Sequence, residues 1–317
     1  MENFIFSINA TMPVFLVMVV GYLLRKTGML NDEFVNVANK FNFKVTLPCL
    51  LIRDLSSAGF SKGVNVSFVL FCAAATAFCF VIIWPLTRLF LKDKSMRGAF
   101  VQASFRSSAA VMGIAFVTNI YGSSSLAPFM ILGAVPLYNI FSVIVLTFEA
   151  DGGNGKIDGQ KIKKALIGII TNPIIIGIII GMVISMLNIT FPVIISKTIS
   201  SIGALASPLS LIVLGASFDG SKAIKKFKPV IMASLIKLVL QAAIILPFAI
   251  QMGFRNEELV AIIIMLAAPT TPSCFIMAKS MGNDGDLTAS IVVVTTLMAS
   301  VTLTAWIFIL KSMGLIC

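Results

Sequence analysis

Long apolar stretches separated by short polar connections dominate this chain. Ten of them predict membrane-spanning helices, over roughly 10–24, 34–55, 66–91, 98–120, 125–148, 165–187, 195–218, 229–252, 259–281 and 287–310. Most approach the ~20 apolar residues needed to cross a ~30 Å hydrocarbon core. Stretch two opens on polar residues (FVNVANKFNFK), and stretch seven is rich in small ones (SSIGALASPLS). Such segments suit the inside of a helix bundle better than a lipid-facing position. Stretch nine carries Pro269 and Pro272 near its middle. Proline removes a helix hydrogen bond and clashes with the preceding turn. In lipid, a broken backbone is tolerated only where protein or a cavity surrounds it.

The chain also resembles itself sparsely. Thr11 and Pro13 match Thr171 and Pro173 at an offset of 160, and so do Gly21 with Gly181, Pro48 with Pro208 and Gly122 with Gly282. Five stretches per half is an odd number, so two repeats would have opposite membrane topology. The expected layout is a five-helix repeat over 1–149, a polar Gly-rich linker over 150–164 and a second repeat over 165–317.

Mean hydropathy of +1.02 and 12% charged residues exclude an ordinary soluble domain. The net charge of +11 sits in short loop clusters, which argues against nucleic-acid binding. One set of loops holds Arg25, Lys26, Arg88, Lys92, Lys94, Arg97, Lys156, Lys161, Lys163, Lys164, Lys222, Lys225, Lys226, Lys228 and Lys279; the alternate set holds only Lys62, Lys197, Arg255 and Lys311. The positive-inside rule makes the first set cytoplasmic and both termini extracytoplasmic, in a multi-pass protein of the cell membrane. The cysteines form no C-x-x-C pair and the chain has no histidine, so no metal site, cofactor or disulfide framework is expected. Without a mid-span nucleophile–base pair or paired carboxylates, an intramembrane enzyme is disfavoured.

The candidate chemistry lies at mid-membrane. Arg106 and Lys237 each follow a cytoplasmic entry point, Arg97 and Lys228, by nine residues. At 1.5 Å per residue that is roughly 14 Å deep. A charge there costs about 2.5–3.5 kcal/mol on insertion scales. Stretches three to ten offer no acid in their apolar interiors, so an anionic ligand is the expected counterpart. After the break in stretch nine, Thr271 is placed to cap a half-helix with Pro272 at its first position. Ser107 and Ser108 hold a similar place in stretch four. Helix starts expose N–H groups and a positive dipole end, which suit a carboxylate. Arg106, Ser107, Ser108, Lys237, Thr270, Thr271 and Ser273 are therefore the candidate binding residues, with Pro269, Pro272 and Gly113 as helix-break positions.

At these residues the chain resembles the auxin efflux carrier family, which includes plant exporters and bacterial carboxylate carriers. SSAAVMGIAFVTNIYG (107–122) is similar to the family's N-T-x-V-M-G-I-P…Y-G segment, and AAPTTPSCFIMAKSMG (267–282) to its A-A-x-P…P-F-x-x-A-K segment. The resemblance implies an all-α, ten-helix fold of two inverted repeats, similar to bile-acid symporters, with helices four and nine broken and crossing. Helices one, two, six and seven would form a scaffold and the others a moving domain. It implies a secondary transporter of small organic anions such as mono- or dicarboxylates, embedded in membrane lipid. An ion-coupled antiporter or symporter of the same fold and a non-transporting sensor are the alternative readings, and a homodimer is compatible with the chain. Two departures, Ser108 for the family's asparagine and Ala115 for its proline, leave the anion unspecified.

Overall fold

A computed structural model describes residues 2–57, 65–109, 117–118, 120–121, 126–150 and 159–316. The described residues contain no strand. Gly113, the continuation of stretch four over 110–116 and most of the 150–164 linker lie outside them.

Five helices are long and apolar enough to cross a bilayer by length and composition. They are Val66–Phe90, Ala127–Glu149, Val193–Ser217, Phe227–Gln251 and Gly285–Ser312, with a shorter apolar helix at Pro173–Met186. Stretch six was expected to run unbroken over 165–187 but is divided at Thr171 and Asn172. Asn172 accepts a hydrogen bond from the Ile174 N–H at 2.9 Å, and Pro173 occupies the first helical position. Together they start a new helix where hydropathy alone sees none. The corresponding Pro13 is accommodated inside a continuous helix, α1 (Glu2–Lys26).

The chain continues through α2 (Asp32–Phe41), a wide π turn at 42–46 and α3 (Leu47–Ser57). Then come α4 (Val66–Phe90), α5 (Arg97–Phe105), α6 (Ala127–Glu149), α7 (Gly159–Ile170) and α8 (Pro173–Met186). Next are α9 (Val193–Ala204), α10 (Ala206–Ser217), α11 (Gly220–Lys225) and α12 (Phe227–Leu235). A second π turn at 236–240 leads into α13 (Gln241–Gln251), α14 (Asn256–Ala267), α15 (Ser273–Ser280) and α16 (Gly285–Ser312).

Helices distant in sequence pack directly against one another. Helix α1 lies against α10, and α3 lies against α8. Glycine makes both approaches close. A methyl group at Gly21 would fall 2.3 Å from the Ile212 carbonyl oxygen, and one at Gly181 would fall 3.1 Å from Ile52 Cα. Small residues let helix backbones come together where lipid offers no hydrophobic drive. The α14 helix is buried along almost its whole length, with Leu259 through Ala268 shielded from solvent and lipid alike. It is the inner element on which the site is built.

Candidate functional site

Helix α5 stops at Phe105 because Arg106 turns extended (φ −81°, ψ 137°). Helix α14 stops at Ala267 because Ala268 does the same (φ −69°, ψ 155°). The two extended strips meet: the Ser108 N–H donates to the Pro269 carbonyl at 2.9 Å. Each helix end leaves carbonyls without an intrahelical partner, and each set is satisfied largely from elsewhere in the chain. Thr270 donates its hydroxyl to Ala103 O at 2.7 Å, and Gln241 its amide to Ser104 O at 2.7 Å. In return the Ser107 hydroxyl reaches Ile264 O (3.3 Å) and Ala268 O (3.5 Å), while Tyr138 donates to Met265 O at 2.9 Å. A serine from one break closes the other helix, and a threonine from the second break closes the first.

Lys237 belongs to the same capping scheme. Its ammonium, fully buried in the π turn, donates to Leu266 O at 2.7 Å, Met265 O at 3.4 Å and Gln241 Oε1 at 3.3 Å. It does not line the cavity described below. A cation at the C-terminal end of a helix meets the negative end of its dipole. The expected substrate lysine thus sits where the backbone of α14 consumes its donors.

Arg106 is placed differently. Its guanidinium is buried and donates to Asn139 Oδ1 at 2.7 Å and Ser273 Oγ at 3.0 Å, with Met277 Sδ beside it. None of these partners is charged. Arg106, Ser107, Ser108, Asn139, Thr271, Pro272 and Ser273 line a cavity of about 70 Å³ together with Leu47, Leu51, Ile174 and Ser210. One water needs roughly 10–15 Å³ by this measure, so the space is a small one.

Thr271 does not cap α15 through its side chain as expected. Its hydroxyl meets Ser273 Oγ at 3.2 Å, and no side chain caps that helix. The Thr271 carbonyl instead accepts from the Cys274 N–H at 3.0 Å. Both hydroxyls are left beside the Arg106 head. Thr270, by contrast, faces α5 and not the cavity.

Sequence reading missed Asn139 and Asp54. A polar residue amid the apolar run of α6 was the available signal for Asn139. Asp54 also lines the cavity, its carboxylate 2.8 Å from Arg53. It falls near the end of stretch two, outside the acid-free interiors of stretches three to ten.

A second cavity, about 560 Å³, lies toward the other end of α15, lined among others by Tyr22, Arg25, Asp32, Asp219, Lys279 and Asp286. Helix α15 therefore contributes Ser273 to one cavity and Lys279 to the other.

The sequence profile of the family described as membrane transport protein matches residues 6–307. The chain is also similar to an uncharacterised transporter of Methanothermobacter thermautotrophicus, 21% identical over 311 residues, covering 97% of this chain and 99% of that one.

Proposed function

This chain belongs to the auxin efflux carrier family of membrane transport proteins, and on that premise we propose that it carries a small organic anion, a mono- or dicarboxylate, by alternating access. The observation behind this reading is the Arg106 guanidinium, buried beside a small cavity and held only by neutral groups. An uncompensated buried cation is costly, and a carboxylate arriving in the cavity would relieve that cost with paired, charge-assisted hydrogen bonds. Thr271, Ser273 and Ser108 supply further hydroxyls around the same space. The backbone has already used the donors of Lys237, Ser107 and Thr270, which leaves Arg106 as the receptor.

The fold proposed for this carrier is ten helices in two inverted repeats, with helices four and nine broken where they cross. The glycine contacts support it. Gly21 and Gly181 are 160 positions apart, as are Ile52 and Ile212, so one contact is the other with its partners exchanged between halves. Two cavities served by the single short helix α15 suit a site that opens to one side at a time.

The test is transport in proteoliposomes with a panel of small carboxylates and an organic cation as control. Accumulation or exchange of at least one carboxylate, inhibited by the others and absent for the cation, is expected. No carboxylate movement under any imposed potential or ion gradient would reject the carrier reading.

The loop charges orient this fold with both termini outside. In a cysteine-labelling experiment on intact cells, positions 123 and 190 should react with an impermeant reagent, and positions 156 and 225 should not. The opposite pattern would invert the membrane orientation.

A further inference from the structure

We propose that an apolar cleft between α4 and the 236–245 segment holds one acyl chain of an anionic phospholipid, whose headgroup rests on basic loops at the end of the cleft. The cleft has a volume of about 260 Å³, against about 70 Å³ for the cavity beside Arg106. Phe78, Ile82, Leu86 and Phe90 recur every four residues along one face of α4, and Leu240 and Ile244 line the cleft from the π turn and α13. All six are more than a third exposed. Helix α4 packs closely on α5 and α6 but meets α13 only slightly, which leaves the gap open. The polar side chains in it are already bonded. Thr87 donates to Ile83 O at 2.7 Å, and Gln241 donates to Ser104 O at 2.7 Å and accepts from Lys237. The lining therefore suits hydrocarbon and not a headgroup.

From Phe78 to Phe90 is roughly 18 Å along the helix axis, about the depth of one leaflet of a ~30 Å core. The cleft runs to the end of α4, where a basic loop begins. Leu91 and Val230 share one buried cluster with Phe100, and the Phe90 and Phe100 rings are 5.5 Å apart. That packing brings the start of α12 beside the end of α4, and Lys92, Lys225 and Lys228 are exposed in the two segments that meet there. Lys226 is paired with Asp284, and Asp93 turns a carboxylate oxygen to Ser95. Moving a chain from the bilayer into an apolar cleft gains little, because lipid tails are as apolar as the lining. Selectivity must then come from charge, and basic residues around a gap between helices at the cytoplasmic face favour anionic headgroups.

The inner wall of the cleft is the back of the anion site. Gln241 lines the cleft and holds Ser104 O, close before Arg106 in the chain. The same side chain accepts from Lys237, which holds the end of α14. A chain seated in the cleft would brace both helix ends against α4. That effect on transport rests on the carrier reading above; lipid binding itself does not.

The test is thermal unfolding of the purified, delipidated full-length chain in a neutral detergent, with phosphatidylglycerol or phosphatidylcholine of identical acyl chains added and no small carboxylate present. Phosphatidylglycerol should raise Tm saturably by about 3 °C or more. Phosphatidylcholine should need at least ~10-fold more lipid for the same shift. Ile82→Trp combined with Ile244→Trp should fill the cleft and abolish the shift. Lys92→Gln, Lys225→Gln and Lys228→Gln together, all at exposed positions, should leave the fold intact and reduce phosphatidylglycerol to the level of phosphatidylcholine. An equal response of the wild type to the two lipids would overturn the proposal. So would a phosphatidylglycerol preference that survives in the lysine variant, a comparison that stands even where the tryptophan pair fails to fold. A preference that survives in a folded tryptophan variant would place the lipid elsewhere and equally reject the cleft. With no small carboxylate in the assay, a failure here leaves the transport result standing.

Discussion

Arg106→Gln should weaken carboxylate binding by at least ~30-fold while the protein stays folded in detergent. Glutamine can keep a neutral contact to Asn139 or Ser273 but gives up the charge and the planar pair of donors. Each charge-assisted hydrogen bond contributes about 1.5–3 kcal/mol, and 1.4 kcal/mol is tenfold in affinity. Arg106→Lys should be a poor rescue, since an ammonium has no bidentate fork. Lys237→Met supplies the contrast. It should leave affinity within about twofold of wild type but lower thermal stability, because the Leu266 carbonyl loses its side-chain donor at about 1–3 kcal/mol, while Met265 O keeps Tyr138. Isothermal titration or ligand-shifted melting of both variants decides the matter. Unchanged affinity in Arg106→Gln, or an affinity loss confined to Lys237→Met, would exchange the roles assigned to these two cations.

Replacing both Pro269 and Pro272 by alanine should slow transport tenfold or more while leaving membrane insertion intact and raising stability. Proline in a helix interior costs about 3 kcal/mol, so removing two favours a continuous helix from α14 into α15. The restored N–H groups at 269 and 272 would find the Met265 and Ala268 carbonyls at helical spacing. Tyr138, Lys237 and Ser107 now donate to those acceptors. A continuous helix would also withdraw the Pro269 carbonyl from Ser108 and move Ser273 relative to Arg106. Substrate should then stabilise the double variant less in a melting assay. Wild-type turnover together with a wild-type ligand shift would make the break incidental and remove the structural basis of the site.

Both predictions follow from features that differ in how far the sequence exposed them. Helical class, the apolar lengths, the proline break in stretch nine and the place of Arg106 within an apolar stretch are local properties. Hydropathy, proline chemistry and residue counting from the nearest loop are enough to read them. The break in stretch four was less visible. No proline marks it: the last carbonyls of α5, at Ala103 and Ser104, are held by Thr270 and Gln241, and the Ser108 N–H by the Pro269 carbonyl, all more than a hundred positions away. The division of stretch six at Asn172 was legible in principle, since an asparagine before a proline is a helix-start signal that hydropathy overrode.

Side-chain roles separated along the same line. By itself the sequence determined that Arg106, Lys237 and a group of hydroxyl residues sit deep in apolar surroundings near broken helices. It could not say which of them spend their hydrogen bonds on backbone. Lys237 and Thr270 face carbonyls of helices distant in the chain, Ser107 lines the cavity but spends its hydroxyl on such carbonyls, and Arg106, Thr271 and Ser273 line it with their heads bonded to side chains alone. Asn139 and Asp54 joined that cavity only because α6 and α3 pack beside the breaks. A broken helix in lipid must find donors for every freed carbonyl. The donors it finds are set by which helices pass within 3 Å of it, and only the assembled bundle specifies that.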